Sequence, residues 1–236
     1  MSTKARWLSQ LLHFFESVTQ ETTDVMCPVW FNDDFYGKNV DTTNTWVVKS
    51  TGTPTAAAVL VSGQHQLDCN LAATSEAELA GLTQNDIKNF ILNQNLYFEA
   101  RIQLQVTPTG VVKMGVGLMG NHNAALLSVP QFAMFVANGS GALTIYTSDG
   151  TLTQSAIATG ITLGTTDWAY LRIDMTDITS VKFYINGNQV ASGTTFNMST
   201  SATLNLQPTM RIGKESATTD VGRLIVDYVR IWSKRT

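Results

Sequence analysis

Hydrophobic positions from residue 29 onward fall in short runs rich in Val, Ile, Phe, Tyr and Thr, and turns of Gly, Asn and Asp separate these runs. Such spacing is typical of an antiparallel β-sandwich or barrel, so the pattern predicts an all-β fold. The predicted strands cover residues 46–49, 57–61, 96–106, 111–118, 132–137, 143–147, 168–175, 181–185, 189–192 and 224–232.

The clearest local signal is a hairpin over residues 181–191. Two apolar stretches flank the dipeptide Asn186-Gly187. These two residue types accept the positive φ angles of a type I′ turn, whose twist matches that of the paired strands. The sequence therefore predicts a two-residue hairpin turn at this point.

The N-terminal segment has a helical period instead. Its apolar residues with this spacing are Trp7, Leu11, Phe14, Phe15 and Val18. They would share one face of an amphipathic helix. We expect residues 1–27 to form a helical arm on a single domain over 28–236. The apolar face of this arm either packs on that domain or docks on a partner.

A second helical signal lies between residues 75 and 92. Ser75 with Glu78, and Thr83 with Asp86, match the capping box that opens a helix. The apolar residues that follow at helical spacing are Leu79, Leu82, Ile87, Phe90 and Ile91. One or two short helices covering an edge or end of a sheet are therefore expected.

Composition narrows the classes of partner. Charged residues are only 14% of the chain, and 32 Thr and 15 Asn supply much of its polar surface. A net charge of -3 gives no basic surface for nucleic acid. No apolar run reaches the roughly 18 residues of a membrane span. Neither nucleic acid nor membrane is an expected partner. Cys27 and Cys69 are interpreted as buried free thiols, since two cysteines are too few for a disulfide framework.

Three segments resemble motifs of a known family. Residues 96–102 resemble a strand of concanavalin A-like jelly rolls, and 181–187 resemble a hairpin of laminin G-like domains. Residues 226–232 are similar to the final strand of family-16 glucanases and related lectins. The resemblance implies a concanavalin A-like jelly-roll sandwich of two curved antiparallel sheets, whose concave face holds a glycan in sugar-binding members. That family spans enzymes, lectins and virion proteins, so the fold does not settle the function.

Catalysis by a carboxylate pair is not expected. A retaining glycosidase needs two carboxyl groups about 5 Å apart, and glucanases of this fold carry an E-x-D-x-x-E signature that this sequence lacks. Glu99 is the one acid in its predicted strand, and we expect it to pair with Arg101 on the same face. The sequence therefore predicts a protein without enzymatic activity and without catalytic residues.

Other chemistries lack their structural context. Gly115, Gly117 and Gly120 match a dinucleotide fingerprint, but no helix is predicted after them, so crowding in a bent strand explains these glycines better. The three histidines have no close zinc ligands. Asp33 and Asp34 could contribute to a calcium site, but two adjacent acids are more often a solvated turn. No metal or cofactor is therefore expected.

A glycan site is the remaining candidate. Asn121, His122 and Asn123 in a predicted loop could bond sugar hydroxyls beside the ring of Trp168. The alternative is ordinary loop chemistry, since Asn-rich turns are common in this chain.

A bacteriophage virion role would explain three features together. They are a jelly roll without catalytic acids, an uncharged polar surface, and an apolar N-terminal segment without a signal-peptide cleavage site. Because phage virions use concanavalin A-like domains, the resemblance implies a capsid decoration, cement or head-surface protein. Its partners would be other virion proteins, with homo-oligomerisation, and it would lie on the virion surface or otherwise be extracellular. The alternatives are a module that binds host surface glycans and a degenerate glycoside hydrolase.

Overall fold

The computed structural model describes the backbone of residues 3–8, 11–16, 22–24, 30–61, 64–92, 95–201 and 205–233, and the side chains from residue 31 onward within these ranges, except that of residue 201. The described strands are β1 (Thr3–Leu8), β2 (Leu11–Glu16), β3 (Thr22–Asp24), β4 (Trp30–Asp33), β5 (Val47–Thr51), β6 (Ala56–Leu60), β7 (Leu67–Asn70), β8 (Glu76–Thr83), β9 (Phe90–Ile91), β10 (Leu96–Val106), β11 (Val112–Met119), β12 (Gln131–Asn138), β13 (Ala142–Asp149), β14 (Thr153–Thr162), β15 (Trp168–Met175), β16 (Lys182–Ile185), β17 (Asn188–Val190), β18 (Asn205–Thr218) and β19 (Arg223–Ser233). Short 3-10 turns lie at Leu126–Ser128 and Ser199–Ser201.

Two antiparallel sheets form the jelly-roll sandwich, which confirms the predicted fold class. Sheet I has the strand order β17-β16-β15-β10-β19-β7-β6, and β4 pairs with the second half of β19. Sheet II has the order β14-β13-β12-β11-β18-β8-β5, and β9 pairs with the start of β18. The central strands of each sheet are therefore hydrogen-bonded on both sides.

The core lies between the sheets because alternate residues of each strand point inward. On β10, Leu96, Phe98 and Ala100 are fully buried. The ring of Phe183 on β16 meets that of Phe135 on β12 in a T-shaped contact, with centroids 5.3 Å apart. Each large side chain buried in this way contributes roughly 1.5 to 3 kcal/mol. The contact between these two rings joins the two sheets.

The predicted hairpin is confirmed. Asn186 and Gly187 have φ angles of 51° and 80°, as a type I′ turn requires. The Asn186 side-chain oxygen also accepts a hydrogen bond from the Tyr170 amide at 2.9 Å. The turn is therefore fixed to the neighbouring strand β15.

The prediction of helices between residues 75 and 92 is wrong, because this segment contains the strands β8 and β9. Leu79 and Leu82 fit a helical stripe, but β8 lies between β18 and β5, which satisfy its backbone hydrogen bonds. Ala80 and Leu82 instead point inward at the two-residue period of a strand. Tertiary pairing here outweighs the local signal.

The N-terminal segment has strands where a helix was predicted. β1, β2 and β3 form a three-stranded sheet of their own. The register places Trp7 opposite Leu12 and Ala5 opposite Phe14. Pairing apolar positions across a ladder suits these residues as well as a helical face does. Among the predicted docking residues, Val18 lies outside the described residues. For the other four, Trp7, Leu11, Phe14 and Phe15, the structure describes the backbone alone. The boundary at residue 27 stays a prediction.

A buried ion pair joins β18 and β8. The side chains of Lys214 on β18 and Glu78 on β8 are both 0% exposed, with 3.7 Å between Nζ and Oε1. The ammonium donates to the carbonyl oxygens of Ala72, Thr74 and Thr218 at 2.6 to 2.9 Å. The Glu78 carboxylate accepts from the Ala72 amide at 2.8 Å. These bonds attach the segment before β8 to the end of β18.

Replacing Lys214 by Met should lower the free energy of unfolding by about 3 to 5 kcal/mol, because it leaves Glu78 as an unpaired buried charge. The matched control is Lys113→Met, which removes a partly exposed ammonium 3.0 Å from Glu215 and should cost about 0 to 1 kcal/mol. Urea unfolding measures both. Equal losses in the two variants would contradict the structural role of the buried pair.

Candidate functional site

Three adjacent strands of sheet I each place aromatic or charged side chains at successive outward positions. β10, at the centre, pairs with β15 on one side and β19 on the other. Their outward residues, with one from β16 and one at a bulge in β19, form what we call the aromatic–arginine face. Its members are Tyr97, Glu99, Arg101, Trp168, Tyr170, Arg172, Tyr184, Asp227, Tyr228, Arg230 and Trp232.

Glu99 lies at the centre of this face. The register places Arg172 directly opposite it on β15 and Arg230 directly opposite it on β19. The expected pair of Glu99 with Arg101 is therefore wrong, because directly opposed residues are closer than residues two apart on one strand. Burial raises the pKa of Glu99, and the charges of Arg172 and Arg230 only partly oppose this shift.

Arg101 pairs instead with Asp227, with 2.9 Å between Nη1 and Oδ2. Asp227 is the extra residue of a β-bulge, because Arg101 is opposite Tyr228 while the next residue, Ile102, is opposite Val226. A bulge re-aims the side chain at its site. Here it makes two consecutive residues, Asp227 and Tyr228, partly exposed.

Guanidinium groups lie over the aromatic rings of the same face. The Arg101 carbon Cζ is 4.2 Å from the centre of the Trp168 ring, and that of Arg172 is 4.7 Å from the centre of the Tyr97 ring. Arg230 lies 4.4 Å from the centre of the Tyr228 ring. Cation–π contacts and ion pairs of this kind fix the side chains before any ligand arrives.

Two hollows open on this face, and Tyr170 and Tyr228 line both of them. Hollow A, of about 230 Å³, is further lined by Glu99, Leu171, Arg172, Tyr184 and Gly187. Hollow B, of about 450 Å³, is further lined by Asp34, Tyr36, Gln64, His65, Arg101, Asp227 and Arg230. At the rim of hollow B the rings of Tyr36 and His65 stack with centroids 4.2 Å apart.

The structure does not bring the predicted glycan-binding residues together. Trp168 lies on the aromatic–arginine face of sheet I, whereas residues 121–123 lie in the loop after β11 of sheet II. The Asn121 oxygen accepts a hydrogen bond from Lys88 Nζ at 2.7 Å, and the Asn123 oxygen accepts one from the Ala125 amide at 3.0 Å. Both amide oxygens thus have partners within the protein.

This loop covers part of the outer face of sheet II. Leu126 belongs to a second apolar cluster with Met134 and Val136 of β12. A Cβ atom on Gly115 would lie 2.7 Å from Leu126 Cδ1. Arg211, which is buried, donates hydrogen bonds to the carbonyl oxygens at residues 123 and 124. Gly115 therefore makes room for the loop, and the dinucleotide fingerprint lies within and just after a strand, with no helix N-terminus to hold a phosphate.

The other predicted chemical groups have structural roles where they are described. Asp33 accepts hydrogen bonds from the Phe35 amide and the Trp46 indole. Cys69 is a buried free thiol whose pKa is raised by burial, and Cys27 lies outside the described residues. Within the described ranges, no three His, Cys, Asp or Glu side chains converge to hold a metal ion. Nor does any helix there have the length and apolar character needed to cross a membrane.

Comparison with known proteins identifies the family. The chain belongs to the concanavalin A-like lectin/glucanases superfamily, whose model matches residues 106–235. A comparison with curated proteins gave no match.

Similar solved structures share the fold at low sequence identity. A β-1,3-glucanase from Mycobacterium marinum has a TM-score of 0.54 at 15% identity, covering 86% of this chain and 97% of its own. The laminarinase from Rhodothermus marinus gives 0.59 at 11%, covering 88% and 99%. An antigen and pseudo β-1,3-glucanase of Mycobacterium tuberculosis gives 0.55 at 14%, covering 87% and 98%.

The sequence predicted these strands correctly as part of the fold. It did not predict that their outward residues form a candidate site. Every second residue in 97–101, 168–172 and 228–232 is aromatic or charged. Three strands with the same outward alternation are a readable signal. What the sequence did not supply was their adjacency, which depends on the strand order of sheet I.

Glu99 predicts a pH dependence of stability. Because burial raises its pKa above the ordinary 4.5, the folded state binds this proton more tightly than the unfolded state. The free energy of unfolding of the wild type, relative to Glu99→Gln, should therefore fall as pH rises from 4.5 through the raised pKa. Urea unfolding of both proteins at a series of pH values measures this difference. If the two free energies of unfolding change with pH in parallel, the raised pKa of Glu99 is contradicted.

His122 predicts the opposite dependence. Burial, and then the charge of Arg211, lower its pKa from 6.5 to about 4. The unfolded state therefore binds this proton at a higher pH than the folded state does. The free energy of unfolding should fall as pH falls from 6.5 towards 4. Thermal melts across this range should show a smaller acid loss for His122→Gln than for the wild type. An identical loss would mean that other groups cause it.

Proposed function

We propose that this chain is a non-catalytic carbohydrate-binding domain whose ligand lies on the aromatic–arginine face. The observation that carries the proposal is the pair of hollows that share Tyr170 and Tyr228 as lining residues and are also lined by guanidinium and carboxylate groups. The virion partners and surface location expected from the sequence stay part of a second proposal below.

The chemistry of the face suits a sugar. Exposed tyrosine rings offer flat apolar surfaces with a polar edge, on which the C–H face of a pyranose can pack. Carboxylates accept hydrogen bonds from hydroxyl groups, and arginine donates through a fixed fork. A small number of fixed polar groups beside aromatic walls is the usual composition of a ligand site.

The surroundings of the acids support a binding role over hydrolysis. Glu99 lies between Arg172 and Arg230, and Asp227 is bonded to Arg101. A general acid of a glycosidase needs a second carboxyl group roughly 5 to 9.5 Å away across the scissile bond. On this face the residues directly opposite Glu99 are Arg172 and Arg230, and an arginine cannot serve as the second carboxyl group.

A glycan array and a reducing-end assay test this proposal. The full chain should bind at least one glycan, release no reducing ends, and lose affinity by about tenfold in Tyr228→Ala, which removes a wall of both hollows. Lys113→Ala on sheet II is the matched control and should bind normally. Sugar release that disappears in Glu99→Gln would refute the absence of catalysis, and binding unaffected by Tyr228→Ala would refute the site.

A virion structural role is the second candidate, and the separate N-terminal sheet favours it. The pairings described for β1, β2 and β3 are with one another and not with the sandwich, as suits a segment that contacts other virion proteins or further copies of the chain. Mass spectrometry of purified phage particles should then find the chain. Deletion of residues 1–27 should prevent its incorporation while leaving the unfolding midpoint of the sandwich nearly unchanged, and its absence from particles would exclude this role.

A further inference from the structure

We infer that hollow A is a proton-coupled oxyanion site, in which Arg172 holds a sulfate, phosphate or carboxylate group and Glu99 takes up a proton when that group binds. The site lies on the face already proposed to bind a glycan. It does not require the bound group to belong to a sugar, so it goes beyond the proposed function and can fail without it.

Arg172 has no carboxylate to neutralise it. Among the described residues, no ion pair includes Arg172, and its Nε has no hydrogen-bond partner. The guanidinium instead lies over two aromatic rings, with Cζ 4.7 Å from the centre of the Tyr97 ring and 5.6 Å from that of Tyr184. Rings contact the flat faces of a guanidinium, whereas its N–H donors lie in the plane, in the fork that fits an oxyanion. Arg172 thus keeps donors for a ligand.

Arg230 adds a second positive charge on the other side of Glu99. It lies directly opposite Glu99 in the ladder of β19, as Arg172 does in the ladder of β15. Its Nε donates to the neutral side chain of Asn32 at 3.0 Å, and no ion pair of the described residues includes it. Two guanidinium groups and one carboxylate give this row a net charge of +1, which becomes +2 when Glu99 is protonated. Both arginines therefore attract an oxyanion in hollow A.

Hollow A also offers neutral donors and sufficient room. The phenols of Tyr170, Tyr184 and Tyr228 belong to its lining. Burial raises the pKa of Tyr228 to about 12, so this phenol stays protonated at neutral pH and can donate a hydrogen bond. The hollow, of about 230 Å³, is several times larger than the roughly 30 Å³ of one water molecule. An oxyanion and part of the group that carries it can enter.

Glu99 is the one acid among the residues that line hollow A. When ionised it repels an oxyanion, and when protonated it donates a hydrogen bond through its O–H group. Burial raises the pKa of Glu99, and the charges of Arg172 and Arg230 only partly oppose this shift. Glu99 therefore accepts a proton at a higher pH than an ordinary glutamate does.

Other charges around Glu99 have partners of opposite sign. Arg101 on the same strand is bonded to Asp227 at 2.9 Å, and Asp174 on β15 lies opposite Lys182 on β16. The charges directly opposite Glu99 are thus the ones that remain for a ligand. The titratable and charged groups of this region are Tyr97, Glu99 and Arg101 on β10, Tyr170, Arg172 and Asp174 on β15, Lys182 and Tyr184 on β16, Asp227, Tyr228 and Arg230 on β19, and Asp34 after β4.

Proton binding and oxyanion binding strengthen each other at this site. A proton on Glu99 removes a like charge from the neighbourhood of the oxyanion, and by reciprocity the bound oxyanion raises the pKa of Glu99. Affinity should be greatest below this pKa and should fall as pH rises through it, by up to about tenfold per pH unit for one proton. Glu99→Gln is neutral at every pH and therefore imitates the protonated acid.

Calorimetry with the full chain, at constant ionic strength between about pH 4.5 and pH 8, tests the site. The probes are inorganic sulfate and glucose 6-sulfate, whose charges stay constant over this range, with glucose as the neutral control. Wild-type affinity for both sulfates should rise as pH falls, with proton uptake detected by comparing buffers of different ionisation heat. Both possible rankings of the two probes support the site: equal affinity indicates a free oxyanion as the ligand, and tighter binding of glucose 6-sulfate indicates an oxyanion carried by a sugar.

Three variants identify the groups responsible. Glu99→Gln should bind sulfate at pH 8 on the order of tenfold more tightly than the wild type and should lose the pH dependence. Such a gain cannot result from misfolding. Arg172→Gln should weaken sulfate binding by about tenfold or more at every pH. Lys182→Gln, the matched control, removes an exposed cation of the same sheet outside hollow A and should bind like the wild type. A melt of each variant shows that it is folded.

Several results would overturn the inference. One is a wild-type affinity that does not change with pH, or that changes equally in Glu99→Gln. Another is an equal loss in Lys182→Gln and Arg172→Gln, which would mean diffuse attraction to a positive surface. A third is the failure of wild type and Glu99→Gln to bind either sulfate at any pH. None of these results decides whether neutral glycans bind, which the glycan array and Tyr228→Ala test separately.

Discussion

The two-residue side-chain period of β10 is the constraint on which both the core and the candidate site depend. The same strand buries Leu96, Phe98 and Ala100 between the sheets and presents Glu99 and Arg101 outside. Because β10 is paired on both edges, its register aligns two further strands with it. A slip of one residue would exchange the two sets and lose the core and the face at once.

The two outer faces of the sandwich use their polar groups differently. On sheet II, buried Arg211 holds the loop that carries Leu126 against the sheet, so its hydrogen bonds are used within the fold. On sheet I, arginines lie over tyrosine and tryptophan rings and pair with acids while parts of their surfaces stay exposed. A face that is ordered before binding loses little entropy when a ligand arrives.

Local chemistry predicted some elements well. The bounds 96–106 and 168–175 agree with β10 and β15, and the Asn186-Gly187 turn followed from φ preferences alone. The segment around Leu79 and Leu82 could not be decided locally, because the spacing of these residues fits a helix and a strand, and only pairing with β18 selects the strand.

The candidate site was harder to predict for a related reason. Glu99, Arg172 and Arg230 are far apart in the chain and meet only through the strand order, so the nearest charge in sequence, Arg101, was the wrong partner. The pairing of Arg101 with Asp227 depends in addition on a bulge, and no pattern in the sequence predicted this bulge. The periodicity of the sequence does not specify interactions that depend on strand register or on irregularities of the ladder.

The bulge at Asp227 has a consequence for how such a surface can arise. Before it, Leu224 and Val226 point inward, and after it the inward residues are Val229 and Ile231, so the alternation changes from even to odd positions. Without the extra residue the inward positions of both halves of β19 would follow one uninterrupted period of two, and the ladder would need no irregularity at this point. The carboxylate that anchors Arg101 is thus supplied by a residue that the ladder does not require. An insertion of one amino acid is enough to give an existing strand a new polar group without moving any position of its core.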